Sequence, residues 1–421
     1  MFEAELSDLG GFMAVARLTS RDIRSESRLV VTRALLAAGE STRGDLAEAT
    51  GLSLGTVSTI VQDLLKYGIL AETGPLPVTV GRPTTGLRLD PDRGRVVGFY
   101  LEDRYLEATV FDAALGEIAT LEGTSEASVA DADDVIAWID GALDTVLERA
   151  QAKREDVIGV GILLPGGMQR PVKAATAPDA IWLHLDRLRD RLGLPVVVDN
   201  PLKAIATAEL WLGAGRRVAN AVAVSLGYGV GAGIIQDGAV VRGATNAAGE
   251  WGHSLLVFEG RQCQCGRQGC VEAYVGVPGI RQTLAEIAPD HPLAADRSLA
   301  DGPEGFDLVA ALADAVKAGD PAATAAIDRS AHYLGAALAD LVAILNPEVI
   351  ALTGWAAWPA WRERVAPIVR RRVREDSPGD AAADLEIEVS PTCGMEGIAA
   401  IALERFMRDI GLVTTRVLPA L

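Results

Sequence analysis

The chain has 421 residues, enough for two or three domains of about 150 residues each. Nearly half of them, 49%, are apolar and only 5% are aromatic, which excludes a disordered chain and suits an α/β globule of helices packed on sheets. The formal net charge of −18 excludes attraction of nucleic acid by the average field of the molecule.

No run of 18 or more apolar residues occurs, and the opening "MFEAELSDLGGF" has acids where a secretion signal carries Lys or Arg. No membrane association and a cytoplasmic location are therefore expected, with residues 1–24 as a leader. The charge is uneven: from Arg17 to Arg95 eleven Lys and Arg face nine Asp and Glu, a net of +2, which leaves −20 for the rest. Any DNA contact must come from the front.

The stretch "SESRLVVTRALLAAGE" predicts a helix with Leu29, Val30, Ala34, Leu35 and Ala38 on its apolar face and Gly39 as its stop. In "TRGDLAEATGL", Thr42 and Asp45 form a capping box and Gly51 ends the helix. A third helix, "SLGTVSTIVQDLLKYGIL", is capped by Ser53 and turns Val57, Ile60, Val61 and Leu64 inward. Its first turns leave Ser53, Leu54, Gly55, Thr56, Ser58 and Thr59 free. Helices joined by a tight Gly-containing turn are the helix-turn-helix arrangement, whose second member reads base edges in the major groove with its N-terminal residues. A structural three-helix bundle has the same periodicity, but the small polar front of the third helix favours close approach to a duplex. The segment "AETGPLPVTVGRPTTGLRLDP" predicts a two-stranded wing. Within it Arg82, held between Gly81 and Pro83, is either a minor-groove contact or a solvated side chain on a hairpin. Residues 25–95 are thus expected to be a winged helix-turn-helix domain with a double-stranded DNA operator as partner.

From Val96 strands take over. "RVVGFYLEDRYLEATVFDAALGEIATLEG" reads as three antiparallel strands, "DDVIAWIDGALDTVLERAQ" as a helix, and "VIGVGILLPGG" and "LPVVVDN" as further strands. "ANAVAVSLGYGVGAGIIQDGAVV" repeats the hairpin plan, and the helix through "AIDRSAHYLGAALADLVAILNP" with the strand "EVIALTG" completes a second lobe. The repetition predicts a duplicated fold with a cleft between lobes. The turn "SLGYGVGAG" is either a phosphate cradle or an ordinary glycine-rich tight turn.

Three of the four cysteines fall within residues 249–274, near one of the four histidines. His253, Cys263, Cys265 and Cys270 supply an imidazole and three thiolates, the ligand set of a closed tetrahedral Zn²⁺ site, so the metal is expected to be structural. Gly266 and Gly269 allow the sharp reversals such a loop needs. Cys393 is expected to be a small buried hydrophobe. Glu250 and Glu272 flank the cluster; they are read as acceptors for ligand hydroxyls facing the cleft, with solvated surface glutamates as the alternative.

"GEWGH" followed by "CQCGRQGCVE" resembles the ROK (repressor, open reading frame, kinase) family, and the likeness extends from about Ser25 onward. The resemblance implies an α/β fold: a winged helix-turn-helix, then a two-lobed actin-like (RNase H-like) domain over residues 96–421. It implies zinc at His253, Cys263, Cys265 and Cys270, and sugar contacts from Asn200, Glu250, His253 and Glu272. The chain departs from the family's kinases at four places. "YLEDR" (Tyr100 to Arg104) replaces the Asp-x-Gly-Gly-Thr phosphate loop, and Asn200-Pro201 replaces Asn-Asp, whose Asp is the base. Tyr228 stands for a Thr, and Gly354-Trp355 for a glycine pair. Phosphoryl transfer depends on positioning and charge neutralisation, so no catalytic residues are expected.

The expected function is a transcription regulator, most simply a repressor, that acts as a homodimer or homotetramer on a pseudo-palindrome and answers a sugar or sugar phosphate effector. The alternatives are an ATP-dependent sugar kinase with an appended DNA-binding domain, and a regulator without a small-molecule effector.

Overall fold

The computed structural model describes residues 20–76, 84–102, 105–124, 132–164, 184–296, 306–357 and 359–409. Three helices open it: α1 (Ser20–Ala38), α2 (Arg43–Thr50) and α3 (Leu54–Lys66). Thr42 Oγ1 accepts from the Asp45 amide at 3.2 Å while the Asp45 carboxylate accepts from the Thr42 amide at 3.4 Å, closing the capping box on α2. Gly51 then turns the chain at φ +68°, in the left-handed region that glycine enters without strain. Ser53 caps α3 through the Thr56 amide at 3.1 Å, and Val57, Ile60, Val61 and Leu64 are buried as their spacing predicts.

α1 corrects the reading of its face. Its buried side is Arg28, Leu29, Val31, Thr32 and Leu35, whereas Val30 and Ala34 are half-buried and Ala38 is exposed. The cause is double coverage: α1 packs on α2, α3 and the wing on one side and on the helix Gly394–Asp409 on the other. Its buried stripe is therefore rotated, and polar Arg28 is admitted because it pairs with Asp63 of α3 at 3.1 Å. β1 (Leu70–Leu76) and β2 (Thr84–Leu89) form the antiparallel wing, in register Leu70 with Leu89, with an irregularity between Glu72 and Gly74. Arg82 lies outside the described residues.

Two five-stranded sheets follow, built on one plan. In the first, β3 (Arg95–Glu102), β4 (Tyr105–Asp112) and β5 (Glu117–Thr124) run antiparallel, and β6 (Val157–Leu163) and β7 (Val196–Asp199) add in parallel beside β3, giving the order β5-β4-β3-β6-β7. In the second, β8 (Ala221–Leu226), β9 (Val230–Gln236) and the short β10 (Ala239–Val240) are antiparallel, and β11 (Val349–Leu352) and β12 (Glu386–Val389) add in parallel beside β8, giving β10-β9-β8-β11-β12. The expected duplication is thus present down to strand order.

Each sheet has its own core. α4 (Ala132–Arg149) buries Ile139 and Leu143 against Phe99 and Val160 in the first lobe. In the second, the helix Pro321–Leu345 lies along Pro359–Asp376. Gly335 permits that approach, since a Cβ there would sit 2.6 Å from Arg372 Cβ. The helix Gly394–Asp409 beds into the first sheet over Gly161, where a Cβ would meet the Ile398 carbonyl at 2.6 Å. A third cluster joins Leu29, Val31 and Leu35 of α1 to Ile398, Leu403 and Met407 of that last helix, so the front domain and the first lobe share one core.

Candidate functional site

On α3, Ser53, Leu54, Gly55, Thr56 and Thr59 are exposed and Ser58 is half-buried. Leu54 is 57% exposed, an apolar side chain that nothing in its own domain covers. Ser53 and Thr56 share a hydroxyl bond at 2.8 Å, and Thr59 donates to the Gly55 carbonyl at 3.0 Å. This front is small, orderly and open.

The metal cluster forms where a short turn, Trp251–His253, meets the loop after it. The donor atoms of His253, Cys263, Cys265 and Cys270 all lie within 4.8 Å of one another. Metal–sulfur bonds of about 2.3 Å at tetrahedral angles put donors about 3.8 Å apart. Cys265 and Cys270 Sγ are 3.7 Å apart and Cys263 Sγ is 3.8 Å from His253 Nδ1, while no disulfide joins any of the cysteines. The residues fit a tetrahedral metal. Gly266 and Gly269 adopt φ +86° and +79°, and a Cβ on Gly269 would strike the Val257 carbonyl at 1.8 Å. Burial pushes the Cys263 thiol up to about 12. For Cys265, burial is outweighed by hydrogen bonds from Arg267, and the thiol falls to about 6.

Arg261 anchors this loop, and its isolated position in the sequence carries no signal of that. Its guanidinium bonds both Glu286 oxygens at 2.9 and 2.7 Å, the Gly279 and Ala273 carbonyls at 3.0 and 3.2 Å, and Thr283 Oγ1 at 3.0 Å. Its plane stands 4.5 Å from the centroid of the Tyr274 ring.

Between the lobes opens a cleft of about 640 Å³, and Asn200, Glu250, His253 and Glu272 all line it. Glu272 links cleft to cluster. One of its oxygens accepts the Val230 amide at 3.0 Å, and the other lies 3.4 Å from Cys263 Sγ and 4.0 Å from His253 Nδ1. Asn200 is 1% exposed; its oxygen caps the helix Pro201–Trp211 through the Lys203 amide at 3.0 Å, and its amide group donates to the Asn246 carbonyl at 3.4 Å. Beneath it runs a network that no motif announces: buried Asp199 pairs with Arg242 at 2.6 Å and accepts from Asn246 at 3.1 Å, and buried Lys203 donates to the Ala248 carbonyl. Burial lowers the Lys203 pKa, against the raising effect of Asp199 and Glu250.

The four departures also have places here. Tyr100 and Glu102 end β3 at the cleft, joined by a 2.5 Å bond from the phenol to the carboxylate; Asp103 and Arg104 lie outside the described residues. Pro201 starts its helix, and Tyr228 sits in the glycine turn, where the Gly227 amide donates to the Gly229 carbonyl at 3.0 Å. Gly354 lines the cleft, but Trp355 is buried and donates its indole N–H to the Val275 carbonyl at 2.9 Å. Cys393, expected in the core, is instead exposed on the cleft rim, because the chain must leave β12 there before the helix Gly394–Asp409 begins.

A winged helix-turn-helix sharing a core with a duplicated two-lobed α/β domain is the build of a transcription regulator that binds DNA. The comparisons agree. The ROK family model matches residues 105–404, and a winged helix-turn-helix DNA-binding model matches 25–71. The chain belongs to the ROK family. It is 25% identical over 358 residues to the xylose repressor of Caldicellulosiruptor bescii, covering 83% of this chain and 88% of that protein. It is 34% identical over 218 residues to a glucokinase of Halalkalibacterium halodurans, covering 51% of this chain and 66% of that one. Among solved structures, a ROK family transcriptional regulator described as a homologue of the E. coli MLC protein superposes with a TM-score of 0.71 at 27% identity, over 92% of this chain and 97% of that one.

Proposed function

We propose that this regulator is a repressor whose lobes sense a sugar and transfer no phosphate. The observation that carries the reading is the exposed front of α3, Ser53 to Thr59, in a chain akin to repressors over more than four-fifths of its length. Leu54 meets a thymine methyl, and Ser53, Thr56 and Ser58 meet phosphates or base edges. Arg82 on the wing reaches the minor groove. One such unit covers too little DNA for a genomic site, so the protein works in the cytoplasm as a homodimer or homotetramer. Residues 25–95 form the DNA-binding unit and 96–421 the sensor, with the loop 249–274 held by a structural Zn²⁺.

A Zn²⁺ held by His253, Cys263, Cys265 and Cys270 would pin the loop as a structural cross-link; the chain's own residues do the rest. Glu272 ties that cross-link to the cleft, and Glu250, His253 and Asn200 present polar atoms to sugar hydroxyls. Closure of the lobes on the sugar alters the spacing of the recognition helices and weakens operator binding. Pro201 in the position of the base, with Tyr100 and Glu102 where phosphates would lie, supports a regulator without kinase activity.

Fluorescence anisotropy on fragments of the gene's own upstream region, at stated salt and with a panel of sugars, tests this. Tight, sequence-specific binding released by one sugar is the expected result. Binding that no sugar alters removes the sensor, and ADP release with any hexose restores the kinase.

A further inference from the structure

Resting on the reading of α3 as the DNA-reading helix, we infer that its outer ridge, Gly55, Thr59, Gln62 and Lys66, follows the major groove and that Gln62 reads an adenine in each operator half-site. The four residues stand at i, i+4, i+7 and i+11, one helix face, opposite the buried Val57, Ile60, Val61 and Leu64. All four are exposed. Gly55 and Gln62 are about 10 Å apart along the axis, the span over which a helix in the major groove touches base edges.

Gly55 is required by nothing in its own fold. Its φ is not left-handed, and a Cβ there would meet only Ser53 Oγ, at an ordinary 3.8 Å. Glycine weakens a helix relative to alanine, so a surface from outside the chain accounts for it, and the edge of a duplex is that surface. Gln62 makes no side-chain hydrogen bond among the described residues. Its amide carries a donor and an acceptor side by side, the pair that matches adenine N6 and N7. The rest of the ridge leaves base reading to it. Thr59 commits its hydroxyl hydrogen to the Gly55 carbonyl at 3.0 Å. Lys66 is the only Lys or Arg from Ser53 to the end of α3 and is its last residue, placed for a phosphate at the groove's edge. With no Arg on the ridge, the fork that most often reads guanine O6 and N7 is missing.

Selection of the full-length protein on a randomised duplex library, then anisotropy on the enriched duplex, tests this. The expected half-site holds one adenine whose replacement by any other base weakens parent binding about tenfold or more. Gln62→Ala, at an exposed helical position, should lose a similar factor on that duplex and cease to discriminate at that base pair alone. Replacing the adenine by 7-deazaadenine, which lacks N7 as an acceptor, should weaken the parent and leave Gln62→Ala unchanged. Lys66→Ala, by contrast, should weaken all duplexes alike and lower the slope of log affinity against log salt by about one per subunit. Gly55→Ala should raise the melting temperature and yet weaken operator binding several-fold, opposite signs that a purely structural glycine would not give. Gln62→Ala that weakens every sequence equally, or none, overturns the adenine contact while α3 remains the reader. Gly55→Ala that binds as tightly as the parent overturns the close approach. A library that enriches no sequence removes the reader, and the inference with it.

Discussion

Asn200 and Pro201 divide one task. Asn200 caps the helix with its side-chain oxygen, and Pro201 takes the first helical position, where a missing N–H costs nothing. Asn200→Ala should therefore destabilise the protein by about 1 kcal/mol through the lost cap alone, readable in a denaturant midpoint. Pro201→Asp puts a carboxylate at a helix start, where the dipole favours it, and should move the melting temperature by no more than about 2 °C. On the proposed reading, phosphate transfer should stay at background in that variant, because Tyr100 and Glu102 remain on the cleft wall where that reading puts the phosphates. A coupled ADP-release assay showing turnover would mean that Pro201 alone silences the chemistry. Reading Asn200 from its motif found the right wall of the cleft but not the cap, which needs the folded helix start.

The His253, Cys263, Cys265 and Cys270 cluster was legible because its information is local: three cysteines, three glycines and a histidine within 18 residues bring their own geometry. What holds the loop to the lobe was not. Arg261 finds its partners at Ala273, Gly279, Thr283 and Glu286, one face of two consecutive helices whose orientation is set only by packing. The same limit hid the true face of α1, chosen by a helix some 370 residues later in the chain. Arg261→Ala removes the donor shared by Glu286, Ala273, Gly279 and Thr283, of which the Gly279 carbonyl keeps the Thr283 hydroxyl at 2.9 Å, and should cost about 2–4 kcal/mol. Arg261→Lys keeps the charge but loses the fork and the ring contact, and should recover little of it. If the cluster holds the proposed Zn²⁺, its removal by a chelator should speed amide exchange across residues 254–272 first, with the first sheet unaffected. Simultaneous loss of protection in both lobes would make the metal a determinant of the whole fold.

At the scale of the molecule, strands were readable as apolar runs, but their neighbours were not. β8 lies between β9, which follows at once, and β11, more than 120 residues away, and nothing in either run specifies that pairing. The Asp199, Lys203, Arg242 and Asn246 network was invisible for the same reason, since it exists only once β7 and the turn after β10 meet.

One helix spans the distance between sensor and reader. Gly394–Asp409 begins on the cleft rim at Cys393, Gly394 and Met395, and its last turns meet α1 through Leu403, Met407 and Arg408. Arg408 bonds Glu26 of α1 at 2.5 Å and Glu404 of its own helix at 2.8 Å. On the proposed reading, a sugar that closes the lobes would move the rim end, and a rigid helix would carry that displacement into the core shared with α1. Arg408→Gln breaks a largely exposed pair and should cost no more than about 1 kcal/mol of stability. Its effect on signalling should be larger. Couplings between sites run to about 1–3 kcal/mol, or 5–150-fold in affinity, so the sugar-induced loss of operator affinity should shrink several-fold in Arg408→Gln while sugar affinity in the absence of DNA changes little. Anisotropy with and without the effector, beside calorimetry, separates the two quantities. If the variant releases its operator as fully as the parent, the signal reaches α3 by another route, and the helix only holds the domains together.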